Sequence, residues 1–231
     1  MKRIVLVRHA TAAAKEADKE DFDRSLRKKG KKEALALAGW YETFAEVPDL
    51  LLTSPANRAL ETALIFAKEL GYSKKKILVN ESLYSSLHPQ EFLKILRAID
   101  DKHQSVMIFG HEPSFTQFAQ FAVEGFEQIM PKCGVMGFDV DSMSWRKMSP
   151  GNGRLQFFEH PQKLREHKMM GKEQRRTLSD RIQQNISAVL SEFGIEKHSG
   201  DEKKIQAASA KLAKIFAAHI RSKQAPSAKR K

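Results

Sequence analysis

A chain of 231 residues suits one ordinary domain plus an appendage, or two small domains, and 41% hydrophobic residues are enough for a core. No apolar run approaches the roughly 18 residues of a membrane span. The stretch between Arg3 and Arg8 is too short for a signal-peptide core, and the single cysteine, Cys133, excludes an intrachain disulfide framework and favours a reducing, cytoplasmic compartment. The net charge of +12 is concentrated in residues 161–231, which hold 17 Lys/Arg against 7 Asp/Glu, so the design changes near residue 160.

In chain order, residues 2–8 read as a buried strand and 26–46 as a helix with Leu35, Ala38 and Tyr41 facing inward. Residues 49–53 form a second apolar run. Ser54 is placed as the N-cap of a helix over 55–70, with Pro55 at its first position and Gly71 as its stop. A third strand is expected over 76–79, a helix over 90–99, a fourth strand over 105–110 and a helix from Pro113 to about Glu124. Residues 134–140, 144–148 and 154–159 read as successive strands, the last two split by the turn signal Pro150-Gly151-Asn152-Gly153. Alternating strands and helices predict an α/β fold, a three-layer α/β/α sandwich with a mostly parallel central sheet and a partly antiparallel late edge.

Beyond residue 160 the strand signal ends. Leu178, Ile182, Ile186, Val189 and Phe193 keep helical spacing, and so do Ile205, Ala208, Leu212, Ile215 and His219, with residues 194–200 between the two stripes. The expected organisation is a domain over 1–160, a basic amphipathic helical extension over 161–222 and a disordered basic end over 223–231.

Ligands of open α/β sheets bind beyond the carboxyl ends of the strands. There this chain places Arg8-His9, then Ser54-Pro55-Ala56-Asn57-Arg58, then Gly110-His111-Glu112-Pro113. Each is a strand-to-helix junction, where free N–H groups favour anions. Gathering two arginines and two histidines is costly unless an anion is bound, and the donors of a guanidinium suit a phosphoryl group. There is no Walker-type glycine loop and no His/Cys/Asp cluster at metal-ligand spacing.

These motifs resemble the histidine phosphatase (phosphoglycerate-mutase-like) superfamily: R-H-A after the first strand, S-P-x-x-R-A-x-x-T-A from Ser54 to Ala63, and G-H-E-P. The compact domain, Arg24-Ser25-Leu26 before Gly30, and the stretch from Gly134 through Trp145 and Gly153 to Pro161 resemble the SixA-like phosphohistidine phosphatase branch. Where that branch commonly has Leu-Thr, this chain has Leu26-Arg27. The resemblance covers about residues 1–161.

The resemblance implies a metal-independent phosphatase without cofactor. His9 would be the nucleophile that forms a phosphohistidine, and Arg8, Arg58 and His111 would clamp the phosphoryl oxygens. His9 must be neutral to attack, which positive neighbours favour, and a backbone carbonyl at its other ring nitrogen would fix the tautomer. Arg24 either adds charge to the pocket rim or is a surface arginine beside Arg27, Lys28 and Lys29. The general acid is open between Glu81 and Glu112. The implied substrate is phosphohistidine in a protein; a small phosphorylated molecule is the nearest alternative within the superfamily, and a non-catalytic phosphate- or polyanion-binding protein the alternative outside it. Three roles are open for the extension: packing on the domain, self-association, and contact with nucleic acid or another polyanion through Lys203, Lys204, Lys211, Lys214 and Lys229-Arg230-Lys231.

Overall fold

The computed structural model describes residues 1–15, 20–192 and 201–224. The chain divides into two compact units, Met1–Pro161 and Gln162–Lys231. In the first, six strands form one sheet: β1 (Lys2–Arg8), β2 (Leu50–Thr53), β3 (Leu78–Val79), β4 (Ser105–Gly110), β5 (Val135–Val140) and β6 (Gly153–Glu159). Their order is β3-β2-β4-β1-β5-β6. The first four strands run parallel; β5 is antiparallel to β1, and β6 to β5. The expected parallel sheet with an antiparallel edge is therefore present.

β1 is central because Ile4, Val5, Leu6 and Val7 are all fully buried. Burying one such side chain contributes about 1.5–3 kcal/mol. With the two-residue period of a strand, Ile4 and Leu6 enter a cluster with Phe92 of α3 (Pro89–Arg97) and Phe115 and Phe118 of α4 (Ser114–Ala122). Val5 and Val7 face the other layer, where α1 (Lys28–Glu42) packs on α2 (Asn57–Glu69). In that layer Phe66 of α2 meets Phe109 of β4 edge-on at 5.4 Å.

Several boundaries differ from the sequence expectation. In α1 the inward stripe is Ala34, Leu37, Ala38 and Tyr41, and Leu35, one position off it, is 51% exposed. The helix expected from Pro55 begins at Asn57. The reason is local: the Ser54 hydroxyl accepts the Ala56 N–H at 3.3 Å and holds the chain in a turn before the helix can start. The strand expected over 76–79 shrinks to Leu78–Val79 behind a 3₁₀ turn at Lys74–Lys76. That expected over 144–148 is a 3₁₀ turn at Trp145–Lys147. Serine hydroxyls capture the backbone there: Ser142 Oγ accepts from Ser144 N, and Ser144 Oγ from Arg146 N, while the Trp145 indole donates to His103 O at 3.0 Å.

The second unit is helical: α6 (Asp201–Gln224) and most of α5 (Pro161–Glu192). Leu178, Ile182, Ile186 and Ile205 are partly buried, and Val189, Ala208, Leu212 and Ile215 are exposed. Phe193, residues 194–200, the side chain of His219 and residues 225–231 lie outside what is described. α6 runs through residues 223 and 224, the start of the expected disordered end. Among the described residues no helix is long and apolar enough to cross a membrane.

Candidate active site

The carboxyl ends of β1, β2 and β4 lie side by side, because Arg8 pairs with Gly110 and Thr53 with Phe109 across parallel ladders. Backbone bonds extend the junction: His9 N–H donates to Gly110 O, and Ser54 N–H to Phe109 O. Residues 130–134 close the third side. Arg8 N–H donates to Gly134 O, Cys133 N–H to His9 O, and Arg8 Nη1 to Met130 O at 2.7 Å. Gly110 leaves room for this corner, since a Cβ there would lie 2.7 Å from the Phe115 ring.

The rings of His9 and His111 come to 5.1 Å between centroids. Both residues are 8% exposed, and Arg58 is 7% exposed. His9 Nδ1 lies 2.8 Å from Ala10 O, so Nδ1 carries the proton and Nε2 the free lone pair. Burial pushes His9 down to about 4; the Ala10 bond opposes this, while Arg58, Arg8 and Arg24 add to it. His111 is pushed down to about 3, by burial first and then by Arg58 and His9. Both rings are therefore neutral at pH 7. Burial also lowers Arg8 from its ordinary value, against the pull of Glu112.

His111 Nε2 is 2.8 Å from Ser54 Oγ. Ser54 Oγ also accepts from Ala56 N; with its own proton turned toward Nε2, the ring proton of neutral His111 sits on Nδ1. Among the described residues three buried side-chain polar atoms have no hydrogen-bond partner, and two of them, Arg8 Nε and His111 Nδ1, belong to this cluster. Thr62 ties α2 to the β1 end: its hydroxyl accepts Ala10 N–H at 3.1 Å and donates to Arg58 O at 2.7 Å.

Sequence reasoning missed Asp21, in a 3₁₀ turn at Asp21–Asp23. Its carboxylate accepts from Arg58 Nη2 at 2.7 Å and from Arg24 Nη1 at 2.5 Å, and its carbonyl accepts from Arg58 Nη1. Burial would raise its carboxyl, but the bonds and charges of Arg24 and Arg58 win and hold it below the usual range. Arg24 is thus brought to the cluster and fixed there, its Nε donating to Ala13 O at 2.8 Å. The D-x-x-R spacing of Asp21 and Arg24 was the available signal.

The two carboxylates singled out as acids stand differently. Glu112 spends both oxygens on Thr116, accepting its N–H at 3.2 Å and its hydroxyl at 2.5 Å in the first turn of α4. Glu81 is exposed at the head of a 3₁₀ turn, Glu81–Tyr84. Among the described residues no group of His, Cys, Asp and Glu is placed to hold a metal ion.

Residues 4–84 match the model of the histidine phosphatase superfamily, branch 1. An uncharacterised protein of Mycobacterium leprae is 31% identical over 99 residues, which are 43% of this chain and 58% of that relative's length. Among solved structures, one from Agrobacterium tumefaciens, provisionally assigned as the phosphohistidine phosphatase SixA, is 26% identical with a TM-score of 0.59, over 69% of this chain and 98% of that one. The protein histidine phosphatase SixA complexed with tungstate shares the fold at a TM-score of 0.61 and 21% identity, over 70% of this chain and 99% of that one.

Proposed function

Because this chain belongs to the histidine phosphatase superfamily (branch 1) and is similar to its SixA-like members, we propose that it is a phosphatase acting through a phosphohistidine at His9, with phosphohistidine in a protein as its preferred substrate. The observation that carries this reading is the pair of orphaned atoms, Arg8 Nε and His111 Nδ1, beside a neutral His9. Buried polar atoms without partners are rare, and an anion's oxygens would satisfy both. Arg58 has two of its five N–H groups held by Asp21, which leaves three for a phosphoryl oxygen.

In the first step His9 Nε2 donates its lone pair to phosphorus and the P–N bond of the substrate breaks. The substrate's ring, protonated at its second nitrogen, leaves as neutral imidazole with the electron pair of the broken bond. Water then attacks the phosphorus on His9, giving inorganic phosphate and restoring the ring. Arg8, Arg58 and Arg24 supply positive charge to the transferring group, so the reaction is read as metal-independent.

The preference for a P–N bond rests on the carboxylates. Glu112 is committed to Thr116, and Asp21 is held ionised by two arginines. Asp21 is therefore no proton donor at pH 7, and both Glu112 oxygens already serve as acceptors for Thr116. A phosphohistidine ring protonated at its second nitrogen, where an imidazole's ordinary pKa is near 6.5, departs as a neutral molecule, whereas an alkoxide needs a proton from a general acid.

A substrate panel tests this. The protein should release phosphate from a phosphohistidine-bearing protein with higher kcat/KM than from a phosphoserine peptide or a sugar phosphate, and chelator should not change the rate. Equal or faster turnover of the alkyl phosphates would refute the preference.

A further inference from the structure

Two aromatic side chains beside the phosphate cluster have no role in the chemistry above. Phe22 sits between Asp21 and Asp23 in the turn whose carboxylate holds Arg58. Tyr84 ends the turn that follows β3. The two turns are far apart in sequence, yet the Phe22 and Tyr84 rings meet edge-on at 5.3 Å and 74°. Tyr84 in turn meets the His111 ring at 6.0 Å and 85°. A continuous run of rings, His9, His111, Tyr84 and Phe22, therefore leads from the nucleophile outward.

The Tyr84 turn is anchored so that its aromatic ring need not be. Asn80 N–H donates to Thr53 O at 2.9 Å, its side chain accepts from Ser82 N, and Leu83 is buried at 3% exposure. Tyr84 itself is 37% exposed, and Phe22 is only partly buried. Two aromatic rings at the surface, one exposed and one partly buried and set edge-on to each other, form a preformed apolar corner beside the cluster.

We propose that Phe22 and Tyr84 form the wall against which the leaving group packs, and that they select a planar ring, such as the imidazole of a phosphohistidine, over an alkyl or sugar group. The inference rests on the phosphatase reading for what the ring is attached to. The selectivity itself is a binding property. Offset or edge-to-face ring contacts favour a planar aromatic group over an aliphatic one of similar size.

The test uses two inert probes, phenylphosphonate and methylphosphonate, with binding to the full chain measured by calorimetry. The wild-type protein should bind phenylphosphonate about tenfold more tightly than methylphosphonate, the scale expected of a ring contact plus burial of the ring. In the double variant Phe22→Leu, Tyr84→Leu the preference should fall to about twofold or less, while methylphosphonate affinity stays unchanged. Tyr84→Phe should keep the preference. A wild-type ratio near one, a double variant that retains the full preference, or equal weakening of both probes overturns the wall. Binding of neither probe overturns the wall and the phosphate pocket together. An intact ring preference in a protein that releases phosphate from no substrate overturns the phosphatase reading alone.

Discussion

The protonation of His9 is the property on which its proposed use as a nucleophile depends, and pH is the perturbation that exposes it. An ordinary histidine, with a pKa near 6.5, is only about 3% neutral at pH 5. Burial, assisted by Arg58, Arg8 and Arg24 and opposed by the Ala10 bond, pushes His9 down to about 4. At that value the ring is about 90% neutral at pH 5, roughly a thirtyfold larger reactive fraction. The direct assay is an NMR titration of the histidine ring protons from pH 3.5 to 8, with the His9 signal assigned by its loss in His9→Gln. The His9 resonance should hold steady from pH 8 to about pH 5 and shift with a midpoint near 4. Observing the ring without substrate avoids the second phosphate ionisation near 6, which would distort a rate profile. A midpoint near 6.5 would refute the claim that burial and the guanidinium groups set the state of this ring.

Three further outcomes are expected. His9 and His111 both have folded values below their unfolded ones, so the stability they contribute is fully present above about pH 6.5 and is lost as the pH falls through about 4 for His9 and about 3 for His111. Unfolding free energies from urea denaturation should drop over that window with a slope of up to about 1.4 kcal/mol per pH unit for each ring, and His9→Gln should remove one ring's share of it. Ser54→Ala removes the bond to His111 Nε2 and the turn bond to Ala56 N–H, and should cost about 1–3 kcal/mol in urea denaturation and raise KM more than it lowers kcat. Gly30→Ala puts a Cβ 2.2 Å from Thr11 O, the backbone just past His9, so thermal unfolding should show a loss of about 3 kcal/mol or more, with phosphate release falling alongside.

The parts of the fold that could be read from the sequence are those governed by local pattern. The run Ile4–Val7 is apolar without alternation because both faces of β1 are covered, and that signals a central strand directly. The three junctions holding Arg8, His9, Arg58 and His111 were legible because each lies where an apolar run stops. Residues 144–148, read as a strand before the turn signal at 150–153, form a 3₁₀ turn because the bonds made by Ser142 and Ser144 tighten the backbone. Ser54 was assigned a helix cap, a local job, when its hydroxyl also serves His111, 57 residues away. Asp21 escaped for the same reason: its partner Arg58 lies 37 residues downstream, and no periodicity records such a pairing. Phe22 and Tyr84 meet although one lies in the connection after β1 and the other in the connection after β3, which no single segment encodes.

The central claim is that His9 takes the phosphoryl group. It is tested most directly by mixing the protein with a radiolabelled phosphohistidine-bearing protein, quenching in alkali within milliseconds, and locating the label. The account predicts transient label on a peptide containing His9, stable to alkali and lost in acid as a phosphorus–nitrogen bond is, and none on the His9→Ala variant. Phosphate release by His9→Ala at the wild-type rate, or label found on another residue, would contradict it.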